Sequence, residues 1–262
     1  MQKYQTLELQ IPQPGVANVI LNRPSVHNAM NGRMVEELTD VFEHLARGDE
    51  IRLVCLKANG DNFCAGADLT WMKDVHDWSY EENHSNSIQL FNMFETINKC
   101  RHPVLTTVHG AVYGGGLGLL AVSDYVLTEA KSSFCFSETK LGLLPATISP
   151  FIIDKISYST ANALFLSAKK FDANYAREIG LIHETAENIE EAESKLIGSF
   201  LKTAPQASVV CKKMAREIYN GVSNPRHHTA SLITNARMSE EGQEGMQALL
   251  EKRDPKWAKP EK

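Results

Sequence analysis

The sequence predicts an α/β fold with a helical extension. Three observations predict it. Short apolar, strand-like runs alternate with helical spacing through the first two-thirds of the chain. A glycine-rich turn follows the third of these runs. Beyond Leu143 the strand-like runs vanish and helical patterns fill the rest.

Taken in order, Val16 to Leu21 (VANVIL) reads as a strand that ends at Asn22-Arg23-Pro24. Met34, Leu38, Val41, Phe42 and Leu45 then recur at helical spacing. Ile51 to Leu56 (IRLVCL) is a second strand. Leu90, Phe94 and Ile97 mark another helix face, which must stop near Pro103. Val104 to Val108 is a third strand, followed by the glycine run from Gly114 and a helix over Leu117 to Val122. Tyr125 to Thr128 and Phe134 to Phe136 read as two short strands. In the last third the breaks fall at Gly180, Pro205, Gly221 and Pro225. The expected division is an α/β core over residues 1–200 and a helical region over 201–262, with no Gly-, Ser- or Pro-rich linker between them.

Composition excludes several classes. With 27 Lys and Arg against 32 Asp and Glu, the net charge of -5 disfavours binding nucleic acid by phosphate neutralisation. It leaves open a single phosphorylated ligand, which needs only a few local cations. Cys55, Cys64, Cys100, Cys135 and Cys211 are odd in number and form no CxxC, which fits buried thiols in a reducing compartment better than disulfides or a zinc site. The stretch from Met1 to Pro14 has no apolar targeting core, and no apolar run is long enough for a membrane span. A cytoplasmic location is the expectation. No metal site is expected: HExxH is absent, and the adjacent His227 and His228 diverge on a helix instead of sharing a face.

Two loops and one carboxylate stand out. Gly114-Gly115-Gly116-Leu117-Gly118 opens a helix after the third strand, where small residues let a ligand approach free backbone N–H groups. A tight turn with no ligand is the alternative. A dinucleotide fold would want GxGxxG, which is absent, and an acidic residue about 20 residues on at the end of the next strand, whereas Glu129 is nearer than that. Phe63 to Leu69 (FCAGADL) is a second loop of small residues, so the two could supply converging N–H donors. Glu138, flanked by apolar residues, suits acid–base work because desolvation raises a carboxyl pKa. An exposed Glu, or one paired with Lys140, is the alternative.

These pieces together resemble the crotonase family of enoyl-CoA hydratases and isomerases. The matching stretches are Asn22 to Ala29 (NRPSVHNA), Phe63 to Met72, His109 to Asp124, Phe136 to Pro145 and Glu241 to Arg253, in the family's order. The resemblance implies a spiral of ββα turns and a helical C-terminal trimerisation region, assembled as a homotrimer or a hexamer built from two trimers. It implies an acyl-CoA thioester as substrate, with CoA as part of that substrate and no separate cofactor. The Ala67 and Gly115 backbone N–H groups would form an oxyanion hole for the thioester oxygen. CoA and the acyl chain would lie along Val26, His27, Ala29, Ala65, Asp68, Leu69, Gly114 and Gly118, with Lys252 near the phosphates. The family often carries a basic residue where this chain has Ser25, and His27 is the candidate to replace it.

The chain departs from the typical hydratase at the acid–base pair. Such enzymes carry one Glu just after the glycine run and a second farther on. Here the first position is Gly118 and the second is Glu138. Family isomerases also keep only the later Glu, since one base can shuttle a proton between C2 and C4. Other stretches, Ala67 to Lys73, Gly142 to Phe151, Phe171 to Leu181 and Ser239 to Trp257, resemble the bacterial methylglutaconyl-CoA hydratases of leucine breakdown. The expectation is therefore hydration of an α,β-unsaturated acyl-CoA, 3-methylglutaconyl-CoA in particular, with Glu138 as general acid/base. A 3-enoyl-CoA isomerase is the alternative, and an RNA-binding side role is disfavoured by charge. Thr147 and Ser149 could hold water or could cap a helix. Lys73 and Lys140 are candidates to meet a distal substrate carboxylate.

Overall fold

A computed structural model describes residues 3–258. A six-stranded sheet is built from β1 (Leu7–Gln13), β2 (Val16–Leu21), β3 (Leu53–Ala58), β4 (Val104–Val108), β6 (Tyr125–Glu129) and β9 (Glu184–Ala186), in that spatial order. The β1–β2 pair is antiparallel, and every other pair in this sheet is parallel. A second sheet holds β5 (Ala111–Tyr113), β7 (Ser133–Cys135) and β8 (Phe171–Asp172).

The helices are α1 (Gly32–Leu45), α2 (Leu69–His76), α3 (Tyr80–Asn98), α4 (Gly115–Ala121), α5 (Ser149–Ile156), α6 (Tyr158–Ser167), α7 (Ala173–Glu178), α8 (Ile189–Lys202), α9 (Pro205–Tyr219), α10 (Pro225–Met238) and α11 (Glu240–Leu250). The central strands are buried on both faces, which is why VANVIL reads as a continuous apolar run. Ala17, Val19, Leu21, Val54 and Leu56 face α1 and α3 in the main core. Val16, Leu53, Cys55, Leu105 and Leu127 face α8, where Leu196, Ile197 and Phe200 cover them. Among the described residues, α9, α10 and α11 contribute only Ala248 to the buried set.

The structure corrects the sequence reading in several places. β1 escapes notice because it is an edge strand, exposed from Gln10 onward. Pro12 sits on it where the register shifts between Gln10 and Gln13. Strands do not vanish beyond Leu143: β8 and β9 lie there, but at two and three residues they are too short to show a period. The three-residue β5 escapes for the same reason. Helix α2 begins inside the stretch read as a loop, capped by Asp68. The expected breaks are in place: α9 and α10 begin at Pro205 and Pro225, and Gly180 and Gly221 follow α7 and α9 with positive φ.

Candidate active site

Three chain segments meet at the C-terminal ends of the parallel strands. The first is the turn after β2. Here Asn28, fully buried at φ 54°, accepts from Arg23 N at 2.8 Å and donates to the carbonyls of Asn59 (2.7 Å) and Asn62 (2.8 Å). Asn tolerates this left-handed conformation better than most residues. The second segment is the loop after β3, tied to the first by Ala65 N donating to His27 O at 3.0 Å. The third runs from β5 into α4.

Met30 and Ala67 form an isolated parallel bridge. Met30 N donates to Gly66 O at 2.7 Å, and Asp68 N donates to Met30 O at 2.9 Å. Those bonds engage the residues on either side of Ala67, so the N–H of Ala67 itself points away from the bridge. Among the described residues it has no acceptor, and Ala67 is exposed. Gly115 opens α4, and its N–H is likewise without an acceptor, as expected at a helix start. The two donors belong to one cluster. A Cβ on Gly115 would lie 3.7 Å from Met30 Sδ, and Met30 is the residue bridged to Ala67.

Glycine is required where the loops touch. Gly66 has φ +96°, and a Cβ there would sit 3.3 Å from Tyr113 O. Gly114 has φ +51°, and a Cβ there would sit 3.3 Å from Glu138 Oε1 and 3.7 Å from Gly66 Cα. Glu138 therefore stands directly beside the two glycine loops. It is half-buried, and its Oε2 is fully buried without a partner. Burial pushes its carboxyl above the ordinary carboxylate range, an effect its own backbone N–H only partly offsets. Lys140 is exposed, and among the described residues no ion pair joins it to Glu138. The salt-bridged alternative is excluded. A carboxyl with an unsatisfied oxygen, beside the loops that carry two free N–H groups, can exchange a proton while the amides hold a developing oxyanion.

The remaining expected residues divide. Val26, His27, Ala65 and Leu69 are accessible around the cluster; Ala29 is buried at its edge. His27 Nδ1 lies 3.0 Å from Asn62 Nδ2. Asp68 does not face a ligand: it is 6% exposed, pairs with Arg23 at 2.7 Å, and caps α2 through Thr70 N and Trp71 N. A polyanion such as CoA would be repelled by a free carboxylate there, which makes a direct contact the wrong role for it.

Gly118 does not line the site either. A Cβ on it would lie 2.5 Å from Ile148 Cγ2 and 2.7 Å from Phe94 Cε1, so an apolar wall fills the place of the missing carboxylate. Lys252 is not brought to the cluster within the single chain. The neighbouring Arg253 pairs with Glu244, which also accepts from Lys256 N, while Arg52 holds Trp257 O at 3.0 Å before β3 begins. That is the N-terminal end of the parallel strands, and β3 alone spans roughly 20 Å. Ser149 Oγ donates to Ala146 O, and α5 starts without a side-chain cap, so the capping alternative for Thr147 and Ser149 fails. The Arg23 and Met30 contacts and the Ile148–Phe94 wall escaped the sequence reading. Only the NRP motif hinted at Arg23.

Known proteins resemble the chain along nearly its whole length. A profile described as enoyl-CoA hydratase/isomerase matches residues 12–260. A solved enoyl-CoA hydratase from Shewanella pealeana superposes with a TM-score of 0.92 at 36% identity, over 97% of each chain. An enoyl-CoA hydratase of Alternaria alternata is 32% identical over 82% of this chain and 71% of its own. A peroxisomal Δ3,5-Δ2,4-dienoyl-CoA isomerase of Arabidopsis thaliana is 25% identical over 99% of both. With the profile spanning nearly the whole sequence and the fold matched end to end, the chain belongs to the enoyl-CoA hydratase/isomerase family.

Proposed function

We propose that the chain hydrates a 2-enoyl-CoA thioester using one carboxyl group, Glu138. The observation that carries this is the desolvated Glu138 carboxyl, with Oε2 unpartnered and Oε1 against Gly114, in the loop cluster that also holds the free Ala67 and Gly115 N–H groups. As carboxylate, Glu138 takes a proton from water while the water oxygen attacks C3. The π electrons move through C2 to the thioester carbonyl, whose oxygen becomes the enolate oxyanion held by the two amides. Protonated Glu138 then returns its proton to C2, so the net change is addition of one water. The thioester is the electron sink, and this chemistry calls for no further cofactor. Hydratases among the relatives at more than 30% identity support the direction.

The finer substrate proposed is 3-methylglutaconyl-CoA, on the resemblance of the Gly142 to Phe151 and Phe171 to Leu181 stretches. The buried, unpaired thiols of Cys55, Cys64, Cys100 and Cys135 support a cytoplasmic setting. Among the described residues no helix is long and apolar enough to cross a membrane. A homotrimer, or a hexamer of two trimers, is proposed for the assembly. A groove of about 750 Å³ on the last three helices, lined by Val210, Met214, Leu232, Ile233, Met246 and Leu249, offers an apolar face for a second copy. A neighbouring copy is also the route by which Lys252 could reach CoA phosphates.

The isomerase reading is favoured by one observation, the apolar wall at Gly118, which leaves a single carboxyl group. One panel separates the two. Crotonyl-CoA, 3-methylglutaconyl-CoA and a 3-enoyl-CoA are given to the purified protein, and hydration and double-bond migration are followed separately. The expected result is hydration, fastest with 3-methylglutaconyl-CoA. Migration without hydration overturns the proposal.

A further inference from the structure

We infer that Arg23 and Asp68 form a clamp that aims the Ala67 N–H, which makes both of them positioning residues for the thioester reaction. The inference rests on the reading of Ala67 and Gly115 as oxyanion donors. It starts from the smallness of the element that carries Ala67: an isolated bridge with two backbone bonds, to Gly66 O and from Asp68 N, preceded by the single tie from Ala65 N to His27 O. Nothing in so short a ladder holds a peptide plane to a few degrees, yet a useful oxyanion donor must be aligned with the place where charge develops.

The Arg23 guanidinium supplies the missing rigidity. Its Nη2 lies 2.7 Å from Asp68 Oδ2, and its Nη1 donates to the carbonyl of Ala29. Ala29 immediately precedes Met30 on one side of the bridge. Asp68 immediately follows Ala67 on the other. The single planar fork therefore staples both strands of the bridge, and a Lys in its place could not hold both partners in one geometry. Asp68 adds a second tether, since its Oδ1 accepts from Thr70 N at 2.7 Å and Trp71 N at 3.3 Å and so ties the loop to the start of α2. Burial opposes ionisation of Asp68. The bonds from Arg23 and the two amides outweigh it and hold the carboxyl below its ordinary range. The side chains of Arg23 and Asp68 are 20% and 8% exposed, so water screens the pair little.

The test uses Asp68→Asn, which preserves shape while removing the charge. Three quantities are measured: kcat on the preferred enoyl-CoA, the Kd for butyryl-CoA, and the Kd and ultraviolet enolate band of bound acetoacetyl-CoA. Butyryl-CoA is saturated and carries an ordinary carbonyl, whereas acetoacetyl-CoA can enolise and so reports the oxyanion donors. The expected result is a fall in kcat of about 10-fold or more, a matching loss of affinity and band for acetoacetyl-CoA, and an unchanged Kd for butyryl-CoA. Equal losses on both ligands, or an unchanged kcat in the folded variant, overturn the clamp. If Asp68→Asn does not fold, Arg23→Lys replaces it, with the same expected split and the same overturning results. Wild-type protein that shows no enolate band with acetoacetyl-CoA overturns the donor reading itself. A wild-type band that survives intact in the variants overturns only the clamp.

Discussion

Glu138→Gln is expected to lower kcat by about 10²-fold or more, with little change in KM. The substituted amide keeps the shape of the side chain but can neither take a proton from water nor give one to C2. Near-normal turnover would remove Glu138 from the chemistry. The same variant tests the environment of the carboxyl group through stability. Burial raises the Glu138 pKa in the folded state, so its ionisation opposes folding. The stability associated with the protonated form is fully present below the unfolded-state value and is lost as pH rises through the folded-state value. Gln carries no charge at any pH. Glu138→Gln should therefore melt higher than wild type at about pH 8, and the gain should disappear near about pH 4, the ordinary Glu range. For wild-type activity, kcat/KM should fall on the acid side at a pH above that range, because the carboxylate is the form that takes the water proton. Equal melting differences at both pH values would mean that the carboxyl is not desolvated.

Gly118→Ala is expected to destabilise the fold by about 1–3 kcal/mol, and Gly118→Glu by more. The added Cβ would meet Ile148 Cγ2 at 2.5 Å and the Phe94 ring at 2.7 and 2.8 Å. Neither neighbour has room to yield. Phe94 is fully buried, Ile148 is 2% exposed, and the Phe94 ring lies 6.2 Å from that of Phe151. Gly118→Glu alone should not install a second working carboxylate, since the space that it would occupy is already filled with hydrocarbon. Gly115→Ala is the control. Its Cβ would make only ordinary contacts with Met30 Sδ at 3.7 Å and Cε at 3.8 Å, so it should melt close to wild type. Thermal denaturation decides the matter: if Gly118→Ala melts as high as Gly115→Ala, the wall is soft and the absence of a second carboxylate has another cause.

Much of the core was legible because its strands are buried on both faces. VANVIL and IRLVCL read as strands from their apolar runs, and α1 reads from Met34, Leu38, Val41, Phe42 and Leu45, all of them buried. The edge strand β1 and the short β5, β8 and β9 carried no such signal, because two or three residues paired to a distant partner leave no period behind. At the site, the glycine loops and the apolar flanks of Glu138 were visible as local patterns, and the structure brings them together. What stayed hidden were neighbours distant in sequence. Asp68 looked like a ligand contact because it lies in a loop of small residues, and its partner Arg23 is a long way back in the chain. Gly118 looked like part of the ligand surface because it ends the glycine run. Its wall comes from α3 on one side and the residue before α5 on the other.

The two candidate donors belong to different layers of the molecule. Ala67 hangs from the loop after β3 in the large sheet, and Gly115 from the end of β5 in the small one. Their separation is thus a seam property, bridged by Met30 and by the Cys64–Val112 pairing and by no continuous ladder. Fraying of these two isolated bridges on warming would spread the donors before the main cluster opens, because Val112, Phe134 and Phe171 of the small sheet are packed into the same core as the large sheet. Heat inactivation of this protein should then run ahead of melting, with the lost activity returning on cooling as long as the cores have not opened.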